Sequence, residues 1–194
     1  MFWQVCAEST EPAIALANKY PALRFVVQMC ESAQEKMTVD NQISGEMSGS
    51  ITVQKRAHAA VQNVKDAAVY LLRLTTHSTP AQIKAELQAH VGVLSANSSA
   101  TLILAPRLLP EPGTVDPDVE AMARLRDLSH LQLTNECDLE LDEAEEIVNS
   151  VHDGRGRLVV VNKLWSRNSP TVAVGVKYEA YYDGLYTVGS AVVQ

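Results

Sequence analysis

The chain has 194 residues, 46% of them hydrophobic and 20% charged, and a net charge of −7. That length suits one domain with a proper core, and the composition is that of a globular rather than a disordered chain. No basic cluster is visible, which argues against nucleic acid as a direct partner. Three cysteines (Cys6, Cys30, Cys137) lack metal-ligand spacing, and Met1–Ala7, short and without a basic start, does not read as a signal peptide. No apolar run approaches the ~20 residues of a spanning helix. These features point to reduced thiols in a cytoplasmic protein with neither metal nor membrane.

Strand and helix signals alternate along the chain. Phe2–Ala7 reads as a strand, and Thr10 and Pro12 open a helix with Ile14, Leu16, Ala17 and Tyr20 on its apolar side before Pro21 stops it. Arg24–Met29 and Ser50–Gln54 are further strands. Between them the polar stretch Asn41–Ser50, with Gly45 and Gly49, reads as a mobile loop. Ala67–Leu72 is continuous and apolar, as central parallel strands are. Thr79-Pro80-Ala81-Gln82 is a capping box, followed by Ile83, Leu87, Val91 and Leu94 at helical spacing. After the strand Ala100–Ala105, Asp116-Pro117 opens a helix whose Val119, Met122, Leu125, Leu128 and Leu131 stand three apart. Leu141, Ala144, Ile147, Val148 and Val151 mark the next helix, with Asp142 and Glu143 in its first turn where the helix dipole favours them. Arg157–Val161 and Thr171–Tyr178 close the chain around the polar loop Ser166–Pro170, as an antiparallel pair. Such alternation predicts an α/β, doubly wound, mostly parallel sheet with an antiparallel edge strand over residues 1–179, and a C-terminal tail over 180–194.

The turn Cys6-Ala7-Glu8-Ser9-Thr10-Glu11 lies where a nucleotide-binding sheet places its glycines, and it has none. Its side chains would block the close backbone approach of a cofactor. Cys6 sits beside a helix start that would favour a thiolate, but Glu8 and Glu11 oppose that effect, so an inert thiol is the better reading. The Glu140–Glu146 run reads as a solvated helix face, and Trp165 and Tyr181-Tyr182 as surface or interface aromatics.

The segments Ala13–Pro21, Leu23–Gln28, Val64–Arg73, Leu108–Thr114 and the Asp127-Leu128 helix to Asn135 resemble the fungal S-adenosylmethionine-dependent O-methyltransferases of small aromatic and polyketide metabolites. They recur in that family's order from Val5 to about Tyr178. The resemblance implies a seven-stranded Rossmann-like methyltransferase sheet. It also implies an N-terminal helical dimerisation domain that this chain lacks, so the chain reads as truncated, with an exposed apolar patch and homo- or hetero-oligomerisation expected. The departures fall on the cofactor site. The Gly-rich turn has lost its glycines, the ribose-binding Asp is Met29, and the Asp near the adenine is Ala59, after His58. The missing ribose acceptor leaves two buried hydroxyls unpaired, at roughly 1–3 kcal/mol each. No cofactor binding is therefore expected.

Three residues remain candidates for chemistry. His77 matches the family's methyl-transfer base, Asp138 aligns with the carboxylate that orients it, and His130 replaces a substrate-lining Met. His titrates near neutral pH and can act as acid or base. The plainer alternatives are an inherited loop histidine, a partly exposed helix residue and a solvated aspartate. Three functions follow: a pseudoenzyme of secondary metabolism that docks on a partner; a non-methylating cyclase, isomerase or dehydratase using His77 on a polyketide-type metabolite; or a methyltransferase completed by another chain.

Overall fold

The computed structural model describes residues 2–7, 10–30, 50–74, 78–106, 108–166 and 169–181. The expected mobile loop up to Gly49 and all of the tail beyond Tyr181 lie outside them. The elements are β1 (Phe2–Ala7), α1 (Glu11–Lys19), β2 (Phe25–Cys30), β3 (Ile51–Arg56), β4 (Val69–Arg73), α2 (Pro80–Ala96), β5 (Thr101–Ala105), α3 (Pro117–Thr134), α4 (Leu141–Asn149), β6 (Gly156–Ser166) and β7 (Ser169–Ala180).

The strands form a seven-stranded sheet in the order β3-β2-β1-β4-β5-β7-β6. The first five are parallel, and β7 runs antiparallel to both β5 and β6. The reversed strand is therefore one place in from the edge, not the edge strand itself. The hairpin joining the last two strands allows this: β7 inserts between β5 and β6, and β6 takes the rim. The hairpin is also tighter than expected, because β6 continues to Ser166 and β7 begins at Ser169.

Strand β2 shows how the sheet divides the core. Phe25, Val27 and Met29 alternate to one face, where they pack with Ile51 beneath Ala13 and Ala17 of α1. Val26 turns to the other face, into a larger cluster with Tyr70, Leu72, Leu102, Leu104 and helices α2 and α4. Helix α2 starts as its sequence prescribes. Thr79 Oγ1 accepts from the N–H of Gln82, and the Gln82 side chain accepts from the N–H of Thr79. Thr10 occupies the N-cap position of α1, but in a helical conformation and without a side-chain capping bond.

Helix α3 forms where expected, but its apolar ladder is not a core stripe. Residues strictly three apart drift about 60° around a helix at each step. Met122, Leu125, Leu128 and Leu131 therefore spiral round the outer half and are exposed, while only Ala123 is buried. Four large apolar side chains are thus exposed on the outer side of this helix.

Gly156 opens β6 against β7. A β-carbon there would collide with the carbonyl oxygen of Glu179 and come within 2.5 Å of the Tyr178 ring. Gly156→Ala is expected to cost about 1–3 kcal/mol in urea unfolding, the usual penalty of overpacking, whereas Gly92→Ala, with open space around its added methyl, should not destabilise.

Candidate functional site

In an open parallel sheet, ligands bind beyond the carboxyl ends of the strands where the winding reverses, here between β1 and β4. Glu8, Ser9 and His77 lie outside the described residues, as does the side chain of Cys6. The flanking positions are described. Met29, at the ribose position of the resemblance, is fully buried among Phe25, Val27, Ala13 and Ala17. A thioether in that cluster offers no acceptor comparable to a carboxylate.

Beyond β3 the chain is tied down by a buried polar network. Arg56 Nη1 donates to Glu86 Oε2 of α2 at 2.8 Å, with both side chains almost fully enclosed. Arg56 Nη2 donates to the carbonyl of Ala60. The N–H of Ala59 donates to Glu86 Oε1 at 2.6 Å, and His58 Nδ1 lies 3.5 Å from the same oxygen. Ala59 has φ 53°, the left-handed region that a β-carbon disfavours. At the position where the resemblance places an adenine-binding Asp, there is thus a strained alanine whose N–H is already engaged inside the protein. Burial alone would raise the carboxyl pKa of Glu86, but the Ala59 N–H and Arg56 together outweigh it and hold it below the ordinary value.

The network continues along α2. Gln62 Nε2 donates to Gln28 Oε1 at 2.9 Å and lies 3.5 Å from His90 Nε2. His90 Nδ1 is 2.7 Å from the carbonyl oxygen of Glu86, which can only accept, so Nδ1 carries the proton. The ring of Tyr70 stands edge-on to His90, and its hydroxyl donates to the carbonyl of Val64 at 2.6 Å. Burial pushes the His90 imidazole down to about 4. None of Arg56, Glu86, Gln62 and His90 was singled out from sequence. The signal was available: Glu86 and His90 share the apolar stripe Ile83, Leu87, Val91, Leu94, so polar side chains stand at core positions.

Asp138 and His130 do come together. Both nitrogens of the Arg126 fork donate to Asp138 Oδ2, Nε at 3.1 Å and Nη2 at 2.6 Å, and His130 Nδ1 is 3.9 Å from Oδ1. The N–H of Asp138 donates to Asp127 Oδ1 at 2.6 Å. Asp138 is therefore buried and ion-paired rather than solvated. The reason is local. Asn135 ends α3 in a left-handed conformation that turns the chain back, and Leu139 then pairs with Leu108 just past β5. Arg126, the partner that fixes this carboxylate, was not anticipated. A cleft of about 790 Å3 lined by Gly92, Ser95, Asp153, Arg155 and Tyr178 lies at the opposite end of the sheet and includes neither His130 nor Asp138. Among the described residues, no three His, Cys, Asp or Glu side chains are grouped to hold a metal ion, and no helix is long and apolar enough to cross a membrane.

The architecture is that of the S-adenosylmethionine-dependent methyltransferases. The structure of LepI in complex with SAM matches with a TM-score of 0.72 at 15% identity, over 92% of this chain and 43% of that one. The mitomycin 7-O-methyltransferase MmcR matches with a TM-score of 0.69 at 14% identity, over 92% and 48%. No family model matches the chain. In sequence, it is 55% identical over 179 residues to a transcriptional coactivator of Pseudocercospora fijiensis, covering 90% of this chain and 50% of that protein. It is 44% identical over 190 residues to the geodin cluster transcriptional coactivator gedD of Aspergillus terreus, covering 89% and 49%. The chain is a methyltransferase-fold homologue of these fungal secondary-metabolite-cluster proteins, and it spans about half the length of the curated relatives it matches.

Two outcomes are expected from the buried network. Glu86→Gln leaves Arg56 without its counter-charge and should cost about 3–5 kcal/mol by urea unfolding, whereas Arg56→Met with Glu86→Leu should recover much of that loss. The second concerns pH. His90 is neutral in the fold, and the unfolded chain takes up its proton near the ordinary value of 6.5. Its contribution is complete above pH 6.5 and is lost as pH falls toward about 4, a loss of roughly 3 kcal/mol. Glu86, whose carboxyl is depressed, adds a loss in the same direction below its ordinary 4.5. Unfolding at pH 7 and pH 5 should show the first loss, and His90→Gln should flatten it.

Proposed function

We propose that this protein is a regulatory, non-catalytic relative of the O-methyltransferases: a coactivator of a secondary-metabolite gene cluster that works through protein contacts. The observation that carries this reading is the loop after β3. The Ala59 N–H, at the position where the resemblance puts an adenine-binding Asp, and the Arg56 guanidinium are both engaged by Glu86. Met29 replaces the ribose acceptor and packs into the core. The glycine-free turn Cys6–Glu11 supports the same conclusion from sequence. The relatives named as transcriptional coactivators supply the biological setting.

In this reading S-adenosylmethionine is not bound, and His77, His130 and Asp138 have no methyl transfer to serve. Asp138 instead anchors the end of α3 through Arg126. A regulatory protein of this kind needs access to the nucleus as well as to the cytoplasm, and its partners are proteins rather than a metabolite or DNA.

The experiment has two arms. Isothermal titration with S-adenosylmethionine at millimolar concentration should give no saturable heat. Deleting the gene in its host should lower transcription of a biosynthetic cluster, and restoring it with His77→Ala should rescue that transcription fully. Saturable binding of the cofactor, or any turnover abolished by His77→Ala, would return the protein to the enzymes.

A further inference from the structure

We infer that His90 is a proton-operated clasp: neutral, it holds the loop between β3 and β4 on helix α2, and protonated, it releases that loop before the sheet itself unfolds.

Residues 57–68 join the end of β3 to the start of β4 and contain no helix or strand. A loop of this length keeps one conformation only where its polar groups find partners outside it. One turn of α2 supplies most of them. Glu86 accepts from the N–H of Ala59, the carbonyl of Ala89 accepts from the N–H of Gln62 at 3.0 Å, and the His90 ring faces the Gln62 side chain. Glu86, Gln62 and His90 are all buried.

The direction of each bond is fixed from both ends. The N–H of Val64 can only donate, so the Gln62 atom 3.2 Å from it is the oxygen, Oε1. The Gln62 amide nitrogen is then the atom that meets both Gln28 Oε1 and His90 Nε2. At the other end His90 Nδ1 donates to the Glu86 carbonyl, which leaves Nε2 with a lone pair toward Gln62. A proton on Nε2 would set donor against donor in a buried space, which costs the desolvation of both. Turning the Gln62 amide over does not rescue the chain. Its oxygen would reach the imidazolium, but its NH2 would then face the N–H of Val64, and the reciprocal pair with Gln28 would have to turn as well.

The surrounding charges do not offset this clash. Burial keeps the imidazole neutral against the pull of the Glu86 carbonyl; Arg56, at the end of β3, adds to burial, and the Glu86 carboxylate, on the same helix, opposes it. Arg56 and Glu86 are paired with each other, so their effects at His90 largely cancel. His58 reaches Glu86 from the exposed side of the loop. Tyr70 of β4 stands edge-on to the ring with its hydroxyl donating to Val64, and Gln28 of β2 is uncharged. The strand ladders stand apart from the clasp: β4 pairs with β1 and β5, and β3 with β2, through backbone bonds that need none of the loop's partners.

Amide hydrogen exchange of the intact chain, read residue by residue by NMR and corrected for the intrinsic pH dependence of exchange, tests the clasp. The held imidazole is neutral and the released one takes up a proton, so release gains ground as pH falls from 6.5 toward about 4, by up to about tenfold per pH unit. Protection of the Gln62 and Val64 amides should fall by that factor while the amides of β4 and β5 keep theirs. His90→Gln keeps a donor and an acceptor but does not titrate, and should abolish the fall. Gln62→Leu opens the clasp from the loop side without altering α2; Val64 should then be poorly protected already at pH 7, with no further fall. Loop and strand amides losing protection together would mean global unfolding alone and overturn the inference. So would a loop-specific fall that persists in His90→Gln or Gln62→Leu, since it would assign the release to Glu86 or His58.

Discussion

The buried pair Arg56–Glu86 is the constraint on which the cofactor edge depends. It joins the end of β3 to the middle of α2, with both side chains nearly sealed from water. Two buried charges are tolerated only when their remaining donors and acceptors are satisfied. That requirement fixes the loop between them: Ala60 must present its carbonyl to Arg56, and Ala59 must present its N–H to Glu86. The loop adopts a left-handed alanine to do so. Gln62, Gln28 and His90 then extend the polar chain into the core, each satisfied by the next.

A scaffold can keep its topology while its site changes purpose, because fold and function are specified by different residues. Here the strand order, the capping box of α2 and the two apolar clusters on either side of β2 are intact. Change is concentrated at the strand ends. Met29 adds apolar contact to the cluster under α1 where a carboxylate would have had to remain solvated or bonded. The Asp138 carboxylate is held by Arg126 at the foot of α3. At both positions the side chain present serves the fold itself, by apolar packing or by ion pairing.

Most of the architecture was legible in the sequence because it rests on local signals. The capping box at Thr79, the proline at the start of α3 and the continuous apolar strand at Val69–Arg73 each depend on a few adjacent residues. What was not legible depends on distant partners. The place of β7 inside β6 is decided by which strand edge it meets, and neither strand's composition encodes that. Sequence offers Asp138 as a carboxylate for His77, or as a solvated residue, but not as the partner of Arg126, which is twelve residues away on a helix whose end is set by the Asn135 turn. Glu86 and His90 were passed over because the apolar residues around them already explained the helix. Polar residues at core spacing are the signal that a buried network exists, but they do not name its partners.

The net charge of −7 is an average that conceals where the charge lies. The Glu111–Glu146 segment is more acidic than the whole chain, so the remainder is slightly basic. Acidic residues spread evenly over a surface serve solubility. Concentrated in one segment, they leave the chain unevenly charged along its length. A three-residue repeat fails as a core stripe because it drifts around the helix, and Met122, Leu125, Leu128 and Leu131 accordingly stand exposed while Ala123 is the buried residue of α3.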